Sequence, residues 1–240
     1  MEIVSVDNGV TVITCTNKPS FMRNVINNFN RQVWKQKELI IILNNDRMNT
    51  SDWEPFLRNK SNITIYKLSE KMSLGACLNF AIKKAKNNYI AKFDDDDYYG
   101  PAYLSEAIRA FQKSGADVIG KRTYYIYLVF KKLLMLRFPN GEKRWTNYIA
   151  GGTIIAKRSV FTEIAFKDLA VGTDRQFLED CHSNNLKIYS TSRFNYVYMR
   201  RKSNWHTWKT TLKYLISTSK KVAVTRNYRK YINENPRKYM

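Results

Sequence analysis

The chain is 240 residues long and 44% hydrophobic, which suits one substantial core and points away from a second full domain. Its 41 Lys and Arg against 20 Asp and Glu leave a net charge of +21, so the expected partner is anionic: phosphate, nucleic acid or a membrane surface. Cys15, Cys77 and Cys181 are an odd number at wide spacing without a CxxC pair, which argues against a disulfide framework or zinc site and for a reducing, cytoplasmic setting.

The opening MEIVSVDNGV has neither a basic n-region nor an apolar h-region, and the longest apolar stretch, Tyr124 to Phe130, is too short to cross a bilayer. The expectation is a soluble chain, at most peripheral at the inner membrane face. Val10 to Cys15 (VTVITC) reads as a strand that breaks at Thr16-Asn17-Lys18-Pro19, after which Phe21, Val25, Ile26 and Phe29 recur at helical spacing. Leu39 to Leu43 (LIIIL) is a continuous apolar run suited to a parallel sheet buried on both faces, and Ile63 to Leu68 supplies a third strand before a helix over Leu74 to Lys86. The fourth strand, Tyr89 to Phe93, runs into Asp94-Asp95-Asp96-Asp97, and Pro101 then suits the first turn of a helix over Ala102 to Phe111. Repeated β-α units of this length predict an α/β fold: a Rossmann-like sheet, helices on both faces, strand C-termini along one ligand edge.

The second half is less regular. The aromatic and basic run Tyr124 to Phe138 predicts more sheet, with Asn140-Gly141 as a hairpin turn, and Gly151 to Ala156 another strand. Arg158 to Phe166 reads as a helix, and Thr173 or Asp174 suits the N-cap of the next. From Thr207 onward Trp208, Leu212, Leu215 and Ile216 fall at helical spacing among lysines, which predicts a basic amphipathic helical tail over 206–240 following a domain over 1–205.

Four adjacent carboxylates at the end of a buried strand repel one another unless a cation neutralises them, and hard divalent cations take oxygen ligands of this kind. Alone, the cluster reads equally well as a solvated loop that caps a helix. Its neighbours decide otherwise. Taken in order, VTVITCTNKP, LIIILNND, LGACLN, YIAKFDDDDYY, GGTIIAKRSVF and GTDRQFLEDC resemble the family 2 glycosyltransferases of the GT-A fold, over residues 10 to 200. Within that family the pattern is more similar to transferases linked to bacterial spore-surface polysaccharide.

The resemblance implies an inverting, metal-dependent glycosyltransferase that moves a sugar from a UDP- or dTDP-sugar to a hydroxyl of a saccharide or other anionic acceptor, with Mn²⁺ or Mg²⁺ as cofactor. It places donor contacts at Thr16, Asn44, Lys71, Asn79, Asp94 and Asp95, the metal at Asp96 and His206, and the catalytic base at Asp174 in GTD. A sugar hydroxyl is a poor nucleophile near neutral pH, so a carboxylate within hydrogen-bond reach has a proton to take. Three positions depart from the family pattern: Cys15 replaces a proline, Leu78 an arginine, and Asn44 the acidic residue that reads the base. Each assignment has a plainer alternative, with Asn44 closing a turn, Asn79 packing its helix, Lys71 solvated, and Asp174 only capping.

Two other functions fit parts of the sequence. The charge and the interleaved Tyr124, Tyr125, Tyr127 and Phe130 suit a nucleic-acid or anionic-polymer binder, but an acidic cluster on the ligand edge repels a phosphate backbone, so specific nucleic-acid binding is not expected. A nucleotidyltransferase needs a glycine-rich phosphate cradle after the first strand, and TCTNKP has none.

Overall fold

A computed structural model describes residues 8–57, 60–202 and 210–233 of the chain. The first half alternates as the apolar runs dictate: β1 (Val10–Thr16), α1 (Met22–Asn30), β2 (Lys37–Leu43), α2 (Glu54–Leu57), β3 (Ile63–Lys67), α3 (Leu74–Lys84) and β4 (Tyr89–Lys92). The second half continues with β5 (Tyr98–Tyr99), α4 (Tyr103–Ser114), β6 (Val118–Gly120), β7 (Tyr124–Leu128), β8 (Leu133–Arg137), β9 (Arg144–Trp145), β10 (Ile155–Lys157) and α5 (Thr173–Ser183). It ends with β11 (Ile188–Ser190), β12 (Tyr196–Arg200), α6 (Leu212–Ser217), β13 (Ser219–Val224) and α7 (Arg229–Ile232).

The larger sheet has the order β3-β2-β1-β4-β10-β6-β11-β9. Its first four strands are parallel, and β10 runs antiparallel to both β4 and β6. Successive side chains of a strand point to opposite faces, so one apolar run feeds two cores. Val10, Val12, Leu39, Ile41 and Ala91 pack on one face with Val25, Ile26 and Phe29 of α1 and Leu104, Ile108 and Phe111 of α4. Ile13, Ile40, Ile42 and Ile90 pack on the other with Cys77, Leu78 and Ala81 of α3 and Phe177, Leu178 and Cys181 of α5. This is the predicted sheet covered on both faces. Because β2 and β4 flank β1, the chain reverses its direction of travel between β1 and β4, and that switch point is where open α/β sheets leave a crevice.

The smaller sheet, β13-β8-β7-β12-β5, differs from the sequence expectation in instructive ways. Tyr98 and Tyr99 form β5 against β12, so a strand separates the acidic cluster from the helix, which starts at Tyr103. The aromatic and basic run folds back on itself within its own length, Tyr124–Leu128 pairing with Leu133–Arg137. The turn therefore lies at Val129–Lys131, with Lys132 left-handed at φ 50°, and Asn140-Gly141 is a bend beyond the hairpin. Gly151–Thr153 is a 3-10 turn ahead of β10. Helix over Arg158 to Phe166 is replaced by a 3-10 turn, Arg158–Thr162, because the chain must bend to stack Phe161 and Phe166 on Phe177.

The long amphipathic tail is also corrected. Beyond 210, a short α6 gives way to β13, which covers the open edge of β8, and the apolar residues Leu215 and Ile232 are fully buried in the domain. An edge strand offers unpaired backbone groups that another strand satisfies, and the chain past α6 takes that place at Ser219–Val224. Thr207 and Trp208 lie outside the described residues. Of the residues whose spacing predicted the helix, Leu212, Leu215 and Ile216 lie in the short α6, with Leu215 turned into the core, and no helix among the described residues is long and apolar enough to cross a membrane.

Candidate active site

A cleft of about 1280 Å³ opens along the C-terminal ends of β1, β2 and β4 and continues past Gly151 and Asp174 to the smaller sheet. That exceeds the 300 to 1,000 Å³ typical of a small-molecule pocket, so it has room for two substrates. At the switch point Thr16 donates to Asp95 Oδ2 at 2.6 Å, joining the end of β1 to the loop after β4. Asn44, at the end of β2, lines the same wall with its backbone N–H on Thr16 and its amide on the Ser69 carbonyl at 2.7 Å.

The four aspartates divide by role. Asp97 is 1% exposed and points inward, accepting from Tyr196 Oη at 2.5 Å and from the Met199 N–H at 2.9 Å, so it ties the loop to β12. Asp94, Asp95 and Asp96 line the cleft. Their positive neighbours are partly built into the chain. Lys92, 6% exposed, places its ammonium 2.5 Å from Asp94 Oδ1 and 3.2 Å from Asp174 Oδ2, and Arg201 donates to the Asp96 carbonyl at 2.8 Å. Burial works against the charge on Lys92, yet Asp174 and Asp94 together raise its pKa above the ordinary lysine value. Burial and the nearby Asp96 push Asp95 up to about 7, and burial likewise raises Asp94.

Asp174 sits in the first turn of α5, but the N-cap is Gly172 at φ 86° with no side-chain capping bond. The capping alternative therefore fails. One carboxylate oxygen of Asp174 is held by Lys92, and Oδ1 is buried with no hydrogen-bond partner, a proton acceptor short of a donor. Two glycines make this approach possible: a Cβ at Gly151 would lie 2.2 Å from Asp174 Oδ2, and one at Gly152 would lie 2.6 Å from Asp94 Oδ2. Tyr99, stacked on Phe93 at 3.7 Å, accepts from the Asp94 N–H at 2.7 Å and donates to the Gly152 carbonyl at 2.5 Å, locking the two loops together.

Thr16, Asn44, Asp94, Asp95, Asp96 and Asp174 thus come together from four segments of the chain. Two others do not join them. Asn79 spends its amide on Phe166, donating to its carbonyl at 2.8 Å and accepting from its N–H at 3.0 Å, which holds the loop before α5. Lys71 is exposed on its loop and is not part of the cleft lining. His206 lies outside the described residues. The sequence reading missed Lys92, although a lysine inside the apolar run YIAKF was a visible signal, since buried lysines are almost always paired.

A family model, Glycosyl transferase family 2, matches residues 10–167, which carry β1 through β10 and the whole acidic loop. The chain belongs to glycosyl transferase family 2. No curated protein sequence matches it. Among solved structures, this family 2 chain is similar to S. aureus TarS 1-349, with TM-score 0.62 and 19% identity over 80% of this chain and 60% of that one. A crystal structure of TarS 1-349 in complex with UDP-GlcNAc gives TM-score 0.61 at 19% identity over 81% and 59%. The mannosyltransferase PcManGT from Pyrobaculum calidifontis, in complex with GDP-Man and Mn2+, gives 0.59 at 14% identity over 82% and 59%. The chain thus spans about 60% of the length of the structures it matches, and at these identities the likeness supports the GT-A fold.

Proposed function

We propose that this glycosyltransferase inverts the anomeric carbon of a nucleotide-sugar donor, a UDP- or dTDP-sugar, by direct displacement, with Asp174 as general base. The observation that carries this reading is the Asp174 carboxylate, fixed on one oxygen by Lys92 and unpartnered on the other, in the wall of the cleft. Thr16, Asn44 and Asp95 form the nucleoside end and Asp94 the next position along, while the acceptor approaches from the Asp174 side. The acceptor O–H proton passes to Asp174, its oxygen bonds to the anomeric carbon, and the bond from that carbon to the diphosphate breaks, the electron pair leaving with the nucleoside diphosphate. Lys92 holds the Asp174 carboxylate in place from 3.2 Å.

The donor set of the loop fits a hard divalent cation: Asp94, Asp95 and Asp96 offer only oxygen to the cleft, and burial raises the proton affinities of Asp94 and Asp95, a cost that a bound cation would offset. Among the described residues no group of three His, Cys, Asp or Glu side chains converges as a ready metal cage, so any cation here would need oxygen from the donor phosphates as well. Asp96 is the residue we assign to it, with Mn²⁺ or Mg²⁺ neutralising charge on the leaving diphosphate.

UDP is expected to stabilise the fold by about 2 to 3 kcal/mol at a hundredfold excess over its dissociation constant when Mn²⁺ or Mg²⁺ is present, and not with EDTA. Thermal shift reads this directly. Asp96→Asn should remove the metal dependence and leave the melting temperature of the ligand-free protein unchanged or slightly higher, and equal stabilisation by UDP in EDTA would refute the assignment. Gly151→Ala tests the base from the opposite wall. Its Cβ displaces the Asp174 carboxylate, and a misplacement of about 1 Å costs on the order of 10² in rate. Transfer should fall by that factor with UDP affinity retained, and full activity would mean that Asp174 does not need its present position.

A further inference from the structure

The far end of the cleft, toward the smaller sheet, is lined differently from the donor end. Arg122 and Arg137 stand there among Tyr124, Phe138, Tyr148 and Tyr214. The Arg122 guanidinium lies over the Phe138 ring at 4.1 Å and the Tyr148 ring at 5.2 Å, and among the described residues it faces no carboxylate. Arg137, 2% exposed, lies over the other neighbours, Phe138 at 4.3 Å and Tyr214 at 4.9 Å. Stacked on rings by its face, the Arg122 guanidinium turns its edge N–H groups toward the cleft, where a planar anion meets such an edge with two parallel hydrogen bonds.

The pair is built in, not draped on the surface. Phe138, between the two guanidiniums, holds a left-handed φ of 44°, a conformation bulky residues rarely adopt, and its N–H is tied to the Thr218 carbonyl at 3.0 Å. Gly141 gives Arg122 its place, since a Cβ there would lie 2.5 Å from Arg122 Cγ. Strand order sets the pair apart from the donor end. Thr16 and Asn44 end β1 and β2, Asp94 follows β4, Gly151 precedes β10, and Arg122 follows β6, so the arginine lies across β4 and β10 from the nucleoside wall, with Asp174 between.

We infer that Arg122, supported by Arg137, is an acceptor subsite for a phosphate or carboxylate, so that the acceptor is an anionic saccharide. This rests on the proposed donor and base assignments for its orientation, and the net charge of +21 favours the same kind of acceptor.

Calorimetric titration of the full chain with glucose, glucose 6-phosphate and glucuronate, without and with saturating UDP and Mn²⁺, tests it. With UDP bound, at least one anionic sugar should bind tenfold or more tightly than glucose, and the preferred one identifies phosphate or carboxylate as the group recognised. Arg122→Gln should erase that advantage, Arg122→Lys should keep part of it, and UDP affinity should stay within twofold in both. Equal binding of glucose and both anions overturns the proposal, as does an Arg122→Gln protein, folded by circular dichroism, that keeps the advantage. Loss of UDP affinity instead would give Arg122 to the donor diphosphate and overturn it too. If the wild-type chain fails to bind UDP while anionic sugars still depend on Arg122, the donor assignment falls and the anion subsite stands.

Discussion

Asp174→Asn is expected to slow sugar transfer by about 10² to 10⁴, equivalent to roughly 3 to 5 kcal/mol of barrier, while UDP and metal affinity stay near wild type. Asparagine keeps the size and one oxygen of the side chain but cannot take the acceptor's proton. The substitution also removes one of the two carboxylates that Lys92 bridges, leaving its contact with Asp94 at 2.5 Å. Stability should therefore change little, because the remaining partner still neutralises the buried ammonium. Steady-state transfer and UDP titration on the same preparation separate the outcomes. A variant that turns over at the wild-type rate would take Asp174 out of the mechanism and move attention to Glu179 and Asp180 on the same helix. Donor hydrolysis can be followed in place of transfer, since water is a smaller acceptor for the same displacement.

Glu106→Ala should have the largest effect on stability, a loss of about 3 to 5 kcal/mol and a fall in melting temperature on the order of 10 °C. Glu106 on α4 pairs with Lys121 at 3.1 Å, and the side chains of the two are 7% and 1% exposed. Its Oε1 also accepts from the Ser192 N–H at 3.0 Å and its Oε2 from Asn195 Nδ2 at 3.2 Å, while Lys121 donates to the Ser192 carbonyl at 2.7 Å. Removing the carboxylate strands a buried ammonium and unties the turn that leads into β12, where Tyr196 holds Asp97. Replacing both partners with apolar residues, Glu106→Leu with Lys121→Met, should recover much of the loss, because no uncompensated charge remains. Denaturant unfolding of the single and double variants reads this out, and a single-variant loss under about 1 kcal/mol would mean that water reaches Lys121.

Much of the catalytic half was legible in the sequence because its signals are local. Apolar runs such as LIIIL commit to buried parallel strands whatever surrounds them, and the acidic loop follows its strand by covalent succession, so the sheet and the position of Asp94 to Asp96 at its ligand edge needed no long-range knowledge. The family motifs extend the same logic, since each is a short segment with its own turn chemistry.

What the tertiary structure alone decided are the partnerships between distant segments. Lys92 and Asp174 are 82 positions apart in the chain, and no periodicity could say that a lysine inside a strand bridges a carboxylate on a far helix. Asp97 is indistinguishable from its three neighbours in sequence, yet pairing with β12 turns it inward onto Tyr196. Asn79 sits at a motif position but is captured by the Phe166 backbone. The helical spacing of Leu212, Leu215 and Ile216 is met by α6, but past Thr218 the open edge of β8 draws the chain into β13, because unpaired backbone groups at that edge gain hydrogen bonds from an added strand.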